Sequence, residues 1–392
     1  MDRQTTPITA KRAAHPSLLR RILISIESFL RVETAGGITL LVATAIALLW
    51  ANLSARTYEL SWSTAFIGTQ PLRIYINDGL MTVFFLVVGL EIRHEMRYGA
   101  LSDARIATLP IIAAIAGVLT PALIYLLLNT APITRAGWAV PTATDIAFAV
   151  GILSLLGKRV PPVLRLLLLT LAIIDDIVAI IIIATAYSRS MEFSGFVLAA
   201  CGTLAVWLMQ RLKVRSRPAY LLPGLLLWVG LMRAGIHPTL AGVILGMMAP
   251  ATAASSHLLR RLHPWVAYAI MPLFALANAG VDLSALSFSG GGAFGVKMGI
   301  ILGLVLGKPL GIVLASAVAV RTKVCELPQD LHWRHIVLLG CLGGIGFTMS
   351  IFIANLAFAD SALLATAKSA VLVASTLAAL VALVGGKAWT RQ

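Results

Sequence analysis

The sequence predicts an all-α polytopic membrane protein of about 12 transmembrane helices, with inverted repeats and two interrupted helices, in spans 4 and 11. Four observations carry that expectation. Hydrophobic residues make up 59% of the 392 and charged residues only 12%, against the roughly 25% charged residues of soluble domains. Apolar stretches of the roughly 20 residues that cross a bilayer follow one another almost end to end. Basic residues recur at every second break between them, and two stretches carry helix-breaking residues near their centres.

The formal net charge is +15, and its distribution accounts for it without nucleic acid. Arg3, Lys11, Arg12, Arg20 and Arg21 precede the first span. Arg93 and Arg97, Lys158 and Arg159, Arg211 with Lys213, Arg215 and Arg217, Arg260 and Arg261, and Arg321 and Lys323 then fall in every second loop. The alternate loops hold mostly single arginines, such as Arg56, Arg135 and Arg189. This positive-inside pattern predicts a multi-pass protein of a bacterial inner membrane with both termini cytoplasmic. The first apolar run, Ile22 to Leu30, is interrupted by Glu27 and ended by Arg31, with no small-residue cleavage site after it. A cleaved signal is therefore not expected, and Pro16 to Val32 reads as an amphipathic helix at the membrane interface. The expected organisation is a cytoplasmic segment at 1–34 that contains this helix, one transmembrane domain at 35–386, and a cytoplasmic tail at 387–392. Cys201, Cys325 and Cys341 have no paired spacing, which suggests neither a disulfide framework nor a metal site.

In chain order, the apolar cores fall near 35–52, 76–96, 105–129, 138–156, 163–187, 194–212, 218–234, 236–251, 265–285, 292–320, 334–358 and 361–386. Two short spans meet at Gly235, His237 and Pro238. The fourth span contains Pro141-Thr142-Ala143-Thr144-Asp145, and the eleventh contains Gly343, Gly344 and Gly346. Proline removes a backbone donor, and clustered glycine eases departure from helical geometry. Non-helical backbone at membrane depth is tolerated only where it is buried in protein or lines a cavity. Glycine also serves close helix packing, so for the eleventh span both readings stay open. The fourth span is the middle of spans three to five, and the eleventh is the middle of spans ten to twelve. An odd-numbered unit repeated seven spans later is inserted upside down, and paired interrupted helices in such repeats point to a transport site near the midplane. No residue-level repeat accompanies the hydropathy pattern.

Four ionisable residues sit deep in apolar runs: Asp145, the adjacent Asp175 and Asp176, and Lys308. Each Asp or Lys at a helix centre costs about 2.5–3.5 kcal/mol on an insertion scale, so these side chains must face a cavity or a counter-ion. A buried ion pair holding helices together is the bland reading of Lys308 with one acid. Three acids against one base leave surplus negative charge, and a cation from solution is the natural partner. Carboxylates are hard oxygen ligands suited to small alkali ions. Burial and a neighbouring like charge both favour a neutral carboxyl group, so proton and cation compete for the same oxygens. A site that faces one side at a time turns that competition into exchange. Asp145 and Lys308 have a second role open to them. Where two broken helices meet, their ends carry roughly +0.5 and −0.5 of a charge, which Asp145 and Lys308 would compensate; Lys308 would also pair with Asp175 when no cation is bound.

Several stretches in series resemble the NhaA-type sodium–proton antiporters. They are Val83-Phe84-Phe85-Leu86-Val87-Val88-Gly89-Leu90-Glu91, Pro141-Thr142-Ala143-Thr144-Asp145-Ile146-Ala147-Phe148-Ala149, Leu171-Ala172-Ile173-Ile174-Asp175-Asp176, Gly307-Lys308-Pro309-Leu310-Gly311 and Gly344-Ile345-Gly346-Phe347-Thr348-Met349-Ser350. The resemblance runs from about residue 30 to residue 385. It implies twelve helices and electrogenic exchange of Na+, with Li+ as a second cation, for external H+ by alternating access. Carried onto this chain, it makes Asp176 the chief cation ligand and Asp175 the proton-linked acid paired with Lys308, with Na+ held at Asp175 and Asp176. Thr144 and Asp145 lie in the unwound part of span four, and Asp78 and Glu91 match further acids of the family pattern. Two family residues linked to pH activation are missing before His263-Pro264-Trp265, where this chain has Leu259-Arg260-Arg261-Leu262. His94 follows Glu91 by three places, and Glu95 comes next. Glu91, His94, Glu95, His237 and His263 are the candidate pH-sensing residues; solvation at helix ends is the competing account of the histidines. The family's dimerisation hairpin lies in the first outer loop, which is short here, from Leu53 to Ile76, and this weakens the expectation of a homodimer.

The expected partners are thus Na+, Li+, H+ and the lipid bilayer. No cofactor is called for, and no P-loop pattern is present. A proton-coupled symporter of an organic solute needs a larger polar cavity than these spans suggest, and a channel predicts flux without coupling. An intramembrane aspartyl protease needs acids on separate helices, whereas this pair is on one, so an enzyme is not expected.

Overall fold

The computed structural model describes residues 18–157, 160–188, 192–214, 216, 218–250, 252–281, 291–328 and 330–389, with the backbone alone for a few of these, 18–31 among them. Helix α1 (Leu18–Leu53) leads to a short α2 (Ala55–Ser63). A two-stranded antiparallel hairpin follows, β1 (Ala65–Ile67) with β2 (Gln70–Pro71). The chain continues as α3 (Leu72–Tyr98), α4 (Ala104–Leu128), the bent pair α5 (Pro132–Thr142) and α6 (Ile146–Leu155), α7 (Pro162–Ala186) and α8 (Phe193–Arg211). Then come α9 (Leu221–Arg233), α10 (Leu240–Met248), and α11 (Ala253–Trp265), which runs through one π-helical turn into α12 (Met271–Asn278). The last elements are α13 (Ala293–Arg321), the bent pair α14 (Trp333–Gly343) and α15 (Phe347–Ala357), and α16 (Ser361–Trp389).

The protein is an all-helical polytopic membrane protein, as its composition requires, apart from the small hairpin between the first and second spans. Among the described residues, seven helices are long and apolar enough to cross a membrane, and the two bent pairs bring the number to nine. The other three expected spans coincide with α9, α10 and the α11–α12 rod, which do not meet that measure. Their shortfall has local causes. Gly235, at φ +75°, ends α9, and the Ile236 amide donates back to Leu231 O at 3.0 Å, the usual way a left-handed glycine closes a helix. The first half of the α11–α12 rod carries Arg260, Arg261 and His263. The amphipathic helix expected at Pro16 to Val32 falls partly outside the described residues. From Leu18 onward its backbone is one unbroken helix with the first span. The last helix extends through Trp389, and the rest of the expected tail, 390–392, lies outside the described residues.

Both interruptions occur where the breaking residues stand. Between α5 and α6 the axis bends by 45°, and between α14 and α15 by 44°. Each bent pair lies between long helices, α4 and α7 in one case and α13 and α16 in the other. Around them, α1 packs along α6 and α12, α4 along α13 and α7, and α16 along α13, α14 and α15.

Glycine sets how closely several of these helices approach. A Cβ at Gly242 on α10 would lie 2.1 Å from Thr82 O on α3, and one at Gly246 would lie 2.6 Å from Leu86 O. The two backbones are therefore in direct contact, which holds α3 in register for the acids it carries. Gly242→Ala is expected to destabilise the protein by about 1–3 kcal/mol through overpacking. Thermal unfolding in detergent checks this, and an unchanged melting temperature would show that the helices part at no cost.

Candidate functional site

The site is built where the two broken helices cross. Pro141 stands in the last 3-10 turn of α5, which ends at Thr142, and the chain is then extended at Ala143 and Asp145. Opposite it, Gly344 to Gly346 link α14 to α15. The Asp145 amide donates to Ile345 O at 2.7 Å, and Thr144 Oγ1 donates to Gly343 O at 2.9 Å. Each break thus satisfies backbone groups that the other leaves open. The glycines of the second break serve both readings left open by the sequence. The helix does bend there, and it also packs closely, since a Cβ at Gly344 would lie 2.4 Å from Leu304 O on α13.

The four intramembrane charges gather around this crossing and are at most 2% exposed. The Asp145 carboxylate accepts from the Phe148 amide at 2.9 Å, at the start of α6, and from the Thr348 amide at 3.0 Å, at the start of α15. The Thr348 hydroxyl donates to the same carboxylate. Lys308 comes from α13. Its Nζ lies 2.7 Å from Asp175 Oδ2 and donates to Thr142 O, the end of α5, at 2.5 Å. Thr144 Oγ1 also lies 2.6 Å from Asp175 Oδ2, so its one proton is shared between that carboxylate and Gly343 O.

The adjacent acids on α7 have different surroundings. Successive residues on a helix point about 100° apart, so Asp175 turns to Lys308 and Asp176 turns into a cavity. Asp176 Oδ1 is buried with no hydrogen-bond partner among the described residues. Thr144, Asp145 and Met349 line the same cavity around Asp176, and Glu33, Glu91 and His263 line its far end. A carboxylate, a hydroxyl and unwound backbone are oxygen donors of the kind small hard cations take.

The five candidate pH-sensing residues fall in three places. His263 Nε2 lies 2.7 Å from Glu33 Oε1 and 3.7 Å from Glu91 Oε1, so α1, α3 and α11 meet at the cavity mouth. His94 instead packs on Tyr98 at 5.5 Å between ring centres, and Glu95 accepts from the Ala100 amide at 2.9 Å as the cap of a turn. His237 lies at the opposite end of α3, 3.6 Å from Asp78. Burial disfavours a charge on His263, but the Glu33 hydrogen bond and the Glu91 and Glu33 charges outweigh it and raise the histidine above its ordinary value. Sequence reasoning missed Glu33, a single acid opening the first span, and gave Thr348 no role.

Removing Lys308 would strand a buried carboxylate. Lys308→Ala is expected to destabilise the protein by about 3–5 kcal/mol, and Asp175→Asn added to it is expected to restore most of that. Thermal unfolding of the two single variants and the double one checks this; equal losses that simply add would mean the pair is not coupled.

Comparison with known proteins gives one family throughout. The family described as Na+/H+ antiporter 1 matches residues 27–385. The chain is 49% identical to a Na(+)/H(+) antiporter NhaA of Acidovorax sp. strain JS42, with 97% of each chain covered. It is 47% identical to a Na(+)/H(+) antiporter NhaA 2 of Pseudomonas putida strain KT2440, with 94% of each covered. A Na(+)/H(+) antiporter NhaA of Cupriavidus necator is 46% identical, with 95% of this chain and 92% of the relative covered.

Proposed function

The chain belongs to the Na+/H+ antiporter 1 family, and from that premise we propose how its buried acids run the exchange. The protein is a sodium–proton antiporter of a bacterial membrane that its helices cross many times. On this reading it sits in the inner membrane with both termini cytoplasmic and exports Na+ as external protons enter. The exchange is electrogenic, with Li+ accepted by the same hard-oxygen chemistry.

The observation that carries the reading is the orphaned Asp176 Oδ1 at the inner end of a cavity. A cation that enters past Glu33 and Glu91 reaches Asp176 before Asp175, with Thr144 and Asp145 beside it. Asp175 is already held by Lys308 and Thr144, so a cation reaching for Asp175 competes with the ammonium. Cation occupancy and the proton content of the Asp175–Lys308 pair are thereby linked. Asp145 and Lys308 meanwhile steady the broken ends, the carboxylate at the two helix N-termini and the ammonium at the α5 carbonyl. The crossing supports alternating access because Pro141, Gly343, Gly344 and Gly346 free the backbone there to rearrange. The bilayer and a second copy of the chain are the remaining partners of this reading, the β1–β2 hairpin offering the second copy an outer surface.

The test is purified protein in liposomes under a set pH gradient, with Na+, Li+ and K+ scored separately. Wild type is expected to exchange Na+ and Li+ and to ignore K+. Asp176→Asn is expected to abolish exchange while the protein remains inserted; near-normal exchange by that variant would overturn the ligand assignment.

Glu33, Glu91 and His263 form the pH-responsive latch at the cavity mouth. Because His263 is raised, its charged pairing is complete below about pH 6.5, the ordinary histidine value, and is lost as pH rises through the raised value. The latch therefore loosens toward alkali. In Glu33→Gln the histidine gives up its proton at lower pH, and the half-activation point is expected to move toward acid. A series of exchange rates against pH checks the direction, and an alkaline shift would sink the latch.

A further inference from the structure

We propose that Asn77, Asn278 and Asn355 form an outer clasp that closes the path from Asp176 on the side away from the cavity, and that parting this clasp opens the site outward. The proposal rests on the alternating-access reading and adds the part that closes the second side.

The clasp joins three helices through side-chain amides alone. Asn278 Nδ2 donates to Asn77 Oδ1 at 2.8 Å, Asn77 Nδ2 donates back to Asn278 Oδ1 at 3.3 Å, and Asn355 Nδ2 donates to Asn278 Oδ1 at 3.1 Å. Asn278 is 1% exposed. A buried amide keeps its place only while it is paired, so the three fix one another.

Its position decides its meaning. Asn77 opens α3, and Glu91, at the cavity mouth, follows 14 residues later on the same helix, or about 21 Å at 1.5 Å per residue. Asn278 ends the rod on which His263 stands 15 residues earlier, about 22 Å away by the same rise. Clasp and mouth thus lie at opposite ends of two helices. On α15, Thr348 binds the Asp145 carboxylate and Asn355 lies seven residues further on, about 10 Å beyond it. The site lies between the two ends.

An aromatic layer fills the gap from the site to the clasp. Phe352, on α15, meets Phe85 of α3 at 5.5 Å, Phe274 of α12 at 6.2 Å and His237 at 5.4 Å between ring centres. The three phenylalanines are at most 2% exposed. A hydrated cation does not cross such a layer, and the clasp holds together the three helices that supply it. Asparagine suits a reversible closure. Its amides bond one another when dry, and water takes over those bonds when the helices part, whereas a purely apolar seal would expose bare hydrocarbon. Asparagine also carries no charge, so the clasp's own bonds do not titrate; the titratable groups nearest them are Asp78 and His237, 3.6 Å apart beside Asn77, with His237 against Phe352. Helix α15 connects the two events, since its first turn holds the site and its last turn holds the clasp.

The experiment uses the full-length protein in liposomes of sorted orientation, with apparent KM for Na+ measured from the cavity side and from the opposite side. Asn355→Leu keeps the branched outline of the side chain and removes the donor. It is expected to lower KM on the outer side by about 3- to 10-fold, as the loss of one hydrogen bond shifts the balance toward the outward state. KM on the cavity side is expected to stay the same or rise. Equal changes on both sides, or none, would overturn the clasp and leave antiport standing, whereas failure of wild type to exchange Na+ at all would overturn the reading beneath it. A second arm guards against misfolding. With Cys201, Cys325 and Cys341 changed to serine, Asn77→Cys with Asn355→Cys is bridged by a short reducible cross-linker. Exchange is expected to stop on cross-linking and return on reduction; full exchange by bridged protein would sink the proposal.

Discussion

A helix that stops halfway through a bilayer leaves amides and carbonyls with no water to satisfy them, and the rest of this structure depends on how two such helices settle that account. The carbonyls of Gly343 and Ile345 accept from Thr144 and Asp145. The first amides of α6 and α15 donate to one carboxylate, Asp145. The end of α5 takes the Lys308 ammonium. Apart from the ammonium, which α13 supplies, these partners come from the two broken helices themselves, so neither break is stable without the other. Interrupted backbone at membrane depth, a liability in one helix, becomes a defined structure in two.

That crossing also explains why two neighbouring aspartates are not equivalent. The unwound segment brings Thr144, and α13 brings Lys308, to the side of α7 where Asp175 points, which leaves the adjacent direction open to the cavity. Oδ1 of each acid has no hydrogen-bond partner among the described residues, but Asp175 is paired through Oδ2 before any cation arrives, while Asp176 faces the cavity. The angular step of the helix separates a held acid from a waiting one within a single turn. On the proposed reading, this lets one ion disturb an existing pair rather than simply fill a hole.

The parts legible in the sequence were those written in single residues. Pro141 and the glycines at 343, 344 and 346 announce the breaks because their backbone chemistry is local. Asp145, Asp175, Asp176 and Lys308 stand out because a charge in hydrocarbon is costly wherever the helix packs. What depends on helices meeting was not legible. Glu33 and His263 lie in distant parts of the chain, and nothing near either residue announces the other. His94 and Glu95 follow Glu91 at helical spacing and looked like one cluster, yet each is taken by a nearer group, Tyr98 or the Ala100 amide. Asparagine is inconspicuous in a membrane sequence because it carries no charge, so the Asn77–Asn278–Asn355 contact emerges only once three helix ends are brought together. The span count suffered differently. Hydropathy places spans at 218–234, 236–251 and 265–285, but the turn at Gly235 and the charges before Trp265 keep those helices short or mixed.

The same geometry constrains how the two sides of the membrane can communicate. Charge alone does not join the two, because Asp145 and Lys308 are tied to the crossing and the Asp78–His237 pair stands apart at the other end of α3. What does extend from the site to the outer end is α15, eleven residues long, a rigid rod whose first turn is bonded to Asp145. A rod held at one end by a carboxylate and at the other by an amide cannot relax at one end while the other stays fixed. Any change at Asp145 that shifts the Thr348 bonds must tilt or slide α15, and Phe352 lies midway along it, against Phe85 and Phe274. Coupling in this fold therefore needs no chain of titrating groups across the membrane. It needs a helix that was broken in the right place, so that its remaining half is short enough to move as a unit.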